Sequence, residues 1–404
     1  MLIARLLILL VLAGMVSPAN SLCAEEASVK ESSLDIPQGI ESNLKIRVSL
    51  GAQHSKAVVS TDNPYQVFDG GGHLLFRGKQ IGQALVAAKG DLIQFGRQSF
   101  KAQPIVLDSM KSMLSLDQRT YRDILEFSTT PENKLQIVNE LDLEDYLRGV
   151  LPSETNPSWK ENALKAQAVV SRTYALFKMI ENHGESFAVS SDVLSQVYGG
   201  VTMEKPSTNL AIEETAGEIL VYKGKIFPAF FHSTCGGATT RTENAWPIKP
   251  HPALQGGSCG FCNESQHYRW KASFTEKELI AALKKIGRPV TAIRKLNAEG
   301  IDESGRPRFF VIEHPAGKVK IPSNDFRLAV SPMKMKSVFI QRIVRDGSSY
   351  QFIGRGWGHG VGMCQYGDKK MAELGYNYRQ ILDYYFPGSE ILRLKVPEKK
   401  ALPE

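Results

Sequence analysis

The stretch DYLRGVLPSETNPSWKENALKAQAVVSRTY, residues 145–174, decides how the rest of the chain is read. Its second half has the spacing of one long helix. Ala163, Ala166, Val170, Tyr174 and Phe177 recur at intervals of three and four and define one apolar face. Ser158 and Glu161 stand at capping-box spacing, with the serine hydroxyl predicted to accept from the third helical N–H and Glu161 to reach back. Asn156-Pro157 suits the turn before it, and His183-Gly184 supplies a stop. The many alanines let a neighbouring element approach closely. The first half, stiffened by Pro152, predicts a loop that presents Glu154 just ahead of the helix. Lys165, Gln167 and Arg172 on the helix are polar groups suited to gripping a ligand, and Lys165 and Arg172, two turns apart, share a face. Tyr174 lies on the apolar stripe and reads as core. An acid beside such a surface suits glycan or acyl chemistry. Partial burial against Leu151, Trp159 or Tyr198 would give Glu154 the raised pKa that a catalytic acid needs.

Ahead of this stretch, short apolar runs recur between turn signals. KIRVSL (residues 45–50) alternates as a half-buried strand, and Asp69-Gly70-Gly71-Gly72 reads as a tight turn. Further strands are expected at 74–76, 81–86, 92–95, 124–127 and 135–140. Behind it, strands are expected at 218–222 and 226–232, a loop-rich stretch over 233–268, a helix over 275–286 with Thr275 as cap, and alternating strands over 290–353. A glycine-dense loop spans 354–362, and two short helices span 368–374 and 378–385. The class is α+β: a β-rich catalytic domain with a few helices over 130–392, preceded by a small β-rich domain over 43–129. A linker (25–42) and a tail (393–404) complete the chain.

The 404 residues carry a formal net charge of +7 and a pI near 9.0, which favours anionic partners such as cell-wall polymer or anionic lipid. No Lys/Arg block marks a nucleic-acid arm, so nucleic acid is not an expected partner. Arg5, the apolar run at residues 6–16 and small residues before Ala19 or Ala24 read as a signal peptide over 1–24. The expected location is therefore outside the cytoplasm, in the periplasm or cell envelope, with the membrane touched only through this N-terminus. Cys23 invites a lipid anchor, but Leu22 is bulky for the processing site. Cys235, Cys259, Cys262 and Cys364 remain. Export allows disulfides among them, whereas Cys259-x-x-Cys262 suggests a metal knuckle or a redox pair. Cys235, Cys259, Cys262 and His267 would close a tetrahedral structural Zn2+ site, with His232 or Cys364 as alternative fourth ligands.

Four ordered blocks carry a family resemblance. They are LRGVLPSE (147–154) with ALKAQA (163–168) and RTY (172–174); SQVYGG (195–200); FHSTCGG (231–237) with Glu243-Asn244; and GRGWGHGVGMCQYG (354–367). Together they resemble the SpoIID/LytB domain, over roughly 130–392. The resemblance implies a lytic transglycosylase that cleaves the MurNAc–GlcNAc β-1,4 bond of peptidoglycan, preferring denuded strands, with Glu154 as the one acid/base. It also implies that zinc is an optional feature of the family. A 6-hydroxyl attack needs one carboxyl group, whereas ordinary glycosidases use two; Asp192 or Glu243 as a second carboxylate would imply hydrolysis. Candidate glycan contacts are Lys165, Gln167, Arg172, Gln196, Tyr198, His232, Ser233, Gly236, Gly237, Arg355, Trp357, His359 and Gln365. Gly236, Gly237 and the 354–367 glycines would let backbone N–H groups approach a ligand. The other branch of the resemblance implies a non-catalytic enhancer of a cell-wall amidase. A cysteine hydrolase using Cys235 or Cys364 with His232 or His359 lacks a convincing orienting third residue.

Overall fold

The computed structural model describes residues 44–51, 54–101, 104–191 and 196–394. The expected signal peptide, Cys23, linker and Asp192, and the tail beyond Leu394, lie outside these residues. The class is mixed α+β and β-rich, as expected.

Alternation builds the N-terminal half. In Lys45–Ser49, Ile46 and Val48 are buried while Lys45 and Arg47 are not, and Ile46 lies opposite Leu141 on the neighbouring strand. That strand, Leu135–Asp142, pairs on its other edge with Arg119–Thr129, which pairs with Ile105–Leu116. Lys56–Thr61, Ile81–Lys89, Leu92–Phe95 and Gln98–Phe100 continue the sheet, and the hairpin Tyr65–Asp69/Leu74–Gly78 branches from it, making 11 strands with Val189–Ser190. The expected boundary at 129/130 thus falls within one sheet. Asp69 Oδ1 accepts from the Gly71 and His73 N–H groups (both 2.9 Å) and fixes the expected turn. One face of the sheet buries Val59, Ile105, Leu107, Leu125 and Phe127, each worth about 1.5–3 kcal/mol over exposure.

Eight helices follow among the described residues: α1 (Leu143–Glu154), α2 (Glu161–Glu181), α3 (Pro206–Glu214), α4 (Thr242–Ala245), α5 (Glu276–Lys285), α6 (Ser323–Val330), α7 (Gln365–Glu373) and α8 (Tyr378–Tyr385). The loop expected around Pro152 is the last turn of α1. The helix tolerates this proline because only its final turn is affected, and because Leu143, Tyr146, Leu147, Val150 and Leu151 bury one face. Gly149 is there because a Cβ would stand 2.6 Å from the Tyr198 ring. The Ser158 capping box does not form. Asn156 Oδ1 accepts from both the N–H and the hydroxyl of Ser158 (3.0 and 2.9 Å), and α2 starts two residues later than the box requires, with Lys160 as N-cap. The cap expected at Thr275 does form, as a capping box with Glu278.

Helix α2 is a wall shared by two cores. Ala168, Ala175, Leu176 and Met179 face the N-terminal sheet. Ala163, Ala166, Val169 and Val170 pack with the cysteines, α7 and α8. A third core lies in residues 269–355, between the sheet Arg269–Thr275/Ser349–Arg355/Ile340–Asp346, the sheet Lys295–Ile301/Pro307–His314/Gly317–Pro322, and helices α5 and α6. Helix α6 falls within the 290–353 span where only strands were expected. No described helix is long and apolar enough to cross a membrane.

Candidate functional site: an acid at a helix end and a buried sulfur cluster

Glu154 closes α1 and is half-buried. The chain turns away at Thr155, whose N–H and hydroxyl both donate to the Leu151 carbonyl (3.0 and 2.9 Å). The Val197 N–H donates to Glu154 Oε1 (2.9 Å), and the Gln365 amide donates to the Glu154 carbonyl (3.1 Å). Burial pushes the Glu154 pKa up, while the hydrogen bonds from Val197 and Gln365 pull it part of the way back. Its place at the negative end of the α1 dipole works in the same direction as burial. No other described carboxylate contributes to the shift. Glu243 is engaged elsewhere, by the Thr242 hydroxyl (3.2 Å) and Arg241 (3.9 Å).

Most polar side chains of α2 and of the 196–198 segment turn inward, and of these Gln167 backs the acid through Gln365. Gln167 is fully buried; it donates to Ser171 Oγ (3.0 Å) and accepts from Gln365 (3.3 Å). Gln196 is fully buried between the Tyr146 hydroxyl (3.1 Å) and the Ser171 carbonyl (3.4 Å). Tyr198, 2% exposed, donates to Asn139 Oδ1 (2.8 Å). Arg172, 0% exposed, makes a two-pronged pair with Glu144 (2.7 and 2.8 Å) and donates to the Glu218 and Ile212 carbonyls. Lys165 pairs with Glu161 and with Glu214 (2.9 Å). These five were expected to grip a ligand. In the structure their side chains meet internal partners, four of them in the interior.

The two glycine-rich segments pack on each other. Phe231–His232 runs parallel to Met363–Cys364, and Thr234 and Trp357 exchange backbone hydrogen bonds (3.0 and 2.7 Å). Gly236, at φ +78°, leaves 2.7 Å between a Cβ position and Arg355 Cβ. The close packing of the two segments therefore requires glycine here. Gly237 instead serves the cysteines, donating its N–H to Cys235 Sγ (3.4 Å). Arg355 lies between the Tyr268 and Phe339 rings. His232 is buried with Nδ1 on the Val361 carbonyl (3.0 Å), and burial drops its pKa to about 3. His359 stands against His232 and Trp246, and burial lowers its pKa well below the ordinary range. Both imidazoles are neutral. Ser233 and Trp357 are partly exposed, whereas Gln365, which holds the Glu154 carbonyl, is almost wholly covered.

Cys235, Cys259, Cys262 and Cys364 are buried free thiols, and their sulfurs lie within 4.8 Å of one another. An ion bound tetrahedrally by thiolates at ~2.3 Å places sulfurs about 3.8 Å apart, so the four fit. Hydrogen bonds with Cys235, Cys262 and Cys364 lower the Cys259 thiol pKa, while the hydrogen bond with Cys259 raises that of Cys235 and burial raises that of Cys364. The cluster is also furnished with donors: Cys235 N–H to Cys364 Sγ (3.2 Å), Gly237 N–H to Cys235 Sγ (3.4 Å), and the Tyr385 hydroxyl on Cys259 Sγ (3.4 Å). Arg306, 2% exposed, donates to the Cys235 carbonyl (2.6 Å) and sets a cation beside the sulfurs. His267, the expected fourth ligand, is elsewhere: its Nδ1 meets Lys336 Nζ (2.9 Å) and its ring meets Trp357 (4.3 Å). Cys364 takes its place because the parallel strand pair carries it to Cys235. Nothing in the sequence marked Arg306, whereas Cys364 was already among the alternatives.

A half-buried acid at a helix end, backed by a closed four-cysteine cluster and two interlocked glycine-rich loops, defines a particular class of domain. Residues 131–222 match a family model described as stage II sporulation protein, and residues 254–362 match one described as a domain of unknown function, DUF8618. An uncharacterized protein of Brachyspira hyodysenteriae is 36% identical over 270 residues, 66% of this chain and 71% of that protein. Stage II sporulation protein D of Bacillus subtilis is 28% identical over 271 residues (63% and 76%). The Bacillus subtilis amidase enhancer is 28% identical over 292 residues, 61% of this chain but 40% of the enhancer. The chain belongs to the SpoIID family.

Proposed function

We propose that this protein is a peptidoglycan lytic transglycosylase, acting on the β-1,4 bond between N-acetylmuramic acid and N-acetylglucosamine, by preference in denuded strands. The observation that carries this reading is Glu154, a single carboxyl group whose pKa burial raises and whose Oε1 the Val197 N–H steers. In its acid form Glu154 gives its proton to the glycosidic oxygen as the bond from that oxygen to the muramic C1 breaks. The carboxylate then takes the proton of the muramic 6-hydroxyl as that oxygen bonds to C1. A 1,6-anhydro end forms, Glu154 is protonated again, and no water is consumed. A lone acid/base suits this sequence, because hydrolysis needs a second carboxylate to activate water or to form the glycosyl-enzyme. Ser233 and Trp357, both partly exposed, are the expected contacts best suited to line the glycan path, with Gln365 backing the acid from within.

Cys235, Cys259, Cys262 and Cys364 would hold a structural zinc ion. Four protein ligands leave no open position, so the ion would fix the loops behind the acid and stay out of the chemistry. A protein that acts on peptidoglycan would be exported, to the periplasm or cell envelope. A second reading is favoured by the relative named an amidase enhancer: here the protein binds glycan and stimulates a cell-wall amidase, with Glu154 a structural acid.

Protein lacking residues 1–24 and its Glu154→Gln variant, each incubated with denuded and intact strands and followed by mass spectrometry, test the proposal. Anhydro-muramic ends should appear with the parent protein and fall about 10²–10⁴-fold in the variant. The rate should decline as pH rises through a Glu154 pKa lying above the usual ~4.3. Reducing ends would replace transglycosylation by hydrolysis. No cleavage, with amidase stimulation intact in the variant, would leave the enhancer.

A further inference from the structure

Four half-buried rings run in contact away from the acid. Gln365, which holds the Glu154 carbonyl, is followed in the chain by Tyr366. The Tyr366 ring meets Trp159 at 5.7 Å and His267 at 6.3 Å, and His267 meets Trp357 at 4.3 Å. The row ends at Lys336, whose Nζ stands 5.0 Å from the centre of the Trp357 ring and 2.9 Å from His267 Nδ1. Lys165, Lys334 and Lys370 each pair with a carboxylate. No described carboxylate lies within ion-pair distance of Lys336, although it is half-buried. An ammonium group has three donors, and His267 Nδ1 uses one.

A half-buried cation with donors to spare, beside apolar rings, suits a ligand that presents C–H faces to the rings and an anion to the ammonium group. A glycan strand stripped of its peptides has one such anion per repeat, the free lactyl carboxylate of muramic acid. In an intact strand that carboxyl group is an amide, and the charge is gone. Resting on the transglycosylase reading, we propose that Lys336, supported by His267 and Trp357, binds the lactyl carboxylate and is the residue that selects denuded glycan. Charge-assisted hydrogen bonds are worth about 1.5–3 kcal/mol, which corresponds to roughly a 10- to 100-fold preference.

The test measures binding to the Glu154→Gln protein, so that cleavage does not consume the probe. The probes are denuded strands, intact strands and chito-oligosaccharides of equal length, which share the acetylated backbone but lack the lactyl group. Denuded strands should bind at least tenfold more tightly than the other two. Lys336→Gln should bring the denuded value down to the chito-oligosaccharide value and leave the latter unchanged, and Lys336→Arg should restore most of the preference. Equal weakening on both glycans would make Lys336 a mere support for Trp357 and overturn the proposal, as would a preference that survives Lys336→Gln. Tightest binding to intact strands would assign the anion to the stem peptide and overturn it too. Anhydro products from the parent protein judge the reaction separately. A Lys336-dependent preference without cleavage upholds this inference and removes the transglycosylase, whereas no binding to any probe removes both.

Discussion

In the sheet around Ile46, Leu125 and Phe127, apolar side chains alternate with polar ones and the backbone ladder does the rest. Around Cys235 the arrangement differs: sulfurs, a buried arginine, two neutral histidines and glycine loops without room for Cβ atoms fit together only when every partner is present. The first region degrades gradually, since each side chain removed costs its own burial. The second fails as a unit, because each missing partner leaves a buried polar group exposed to a medium that cannot solvate it.

The sharpest way to test that contrast is to strip the sulfur cluster. Structural zinc in small zinc-finger peptides contributes about 10–16 kcal/mol. Chelation, or Cys259→Ser with Cys262→Ser, should therefore melt the region around α7 and α8 while the N-terminal strands keep their amide protection. Hydrogen exchange reads this directly, and simultaneous loss of protection in both regions would erase the distinction. A smaller effect is expected from Arg172→Met, which leaves Glu144 without its buried partner and should cost about 3–5 kcal/mol in denaturant unfolding. Replacing Glu144 as well, by Leu, should recover most of it.

Asp368 on α7 allows a pH test. It is fully buried, and neither carboxyl oxygen has a hydrogen-bond partner among the described residues. Burial pushes its pKa well above the ordinary value. The folded state then holds a proton that the unfolded chain releases above about pH 3.9, so this group lowers stability progressively as pH rises from there toward its folded pKa. Asp368→Asn should remove that slope, gaining about 1–3 kcal/mol at neutral pH and nothing at pH 3. Thermal melts across pH check it. The smallest effect belongs to Lys165→Ala, whose ion pairs with Glu161 and Glu214 lie near the surface; a change within about 1 kcal/mol is expected. A larger loss would mean that the outer face of α2 also behaves as a unit.

The same contrast explains what the sequence made legible. Strands such as 45–50 and 124–127, the long helix α2 and the cap at Thr275 are local patterns, and the structure has them. Helix α1 was hidden by Pro152, although Leu143, Tyr146, Leu147, Val150 and Leu151 already carried its periodicity. Glu154 stood out by its position and its family motif. What the sequence could not convey was the destination of polar side chains on α2. Arg172 reads the same whether it meets a sugar or Glu144, and its partners lie 28 to 46 residues away. The choice of fourth group in the cluster went to His267 over the alternative Cys364 for a related reason: spacing favours the nearby His267, but the parallel strand pair brings in Cys364.

Cys262 and Cys364 bracket the module with its own core over residues 269–355, and their sulfurs end within 4.8 Å of each other. A segment whose two ends are fastened at one point behaves as a cassette. Arg306 reaches back from inside it to the Cys235 carbonyl, so only parts of the interior remote from Arg306 can be lengthened or exchanged without disturbing the clasp. The thiols are free, so this clasp acts in the folded chain and not by constraining the unfolded one.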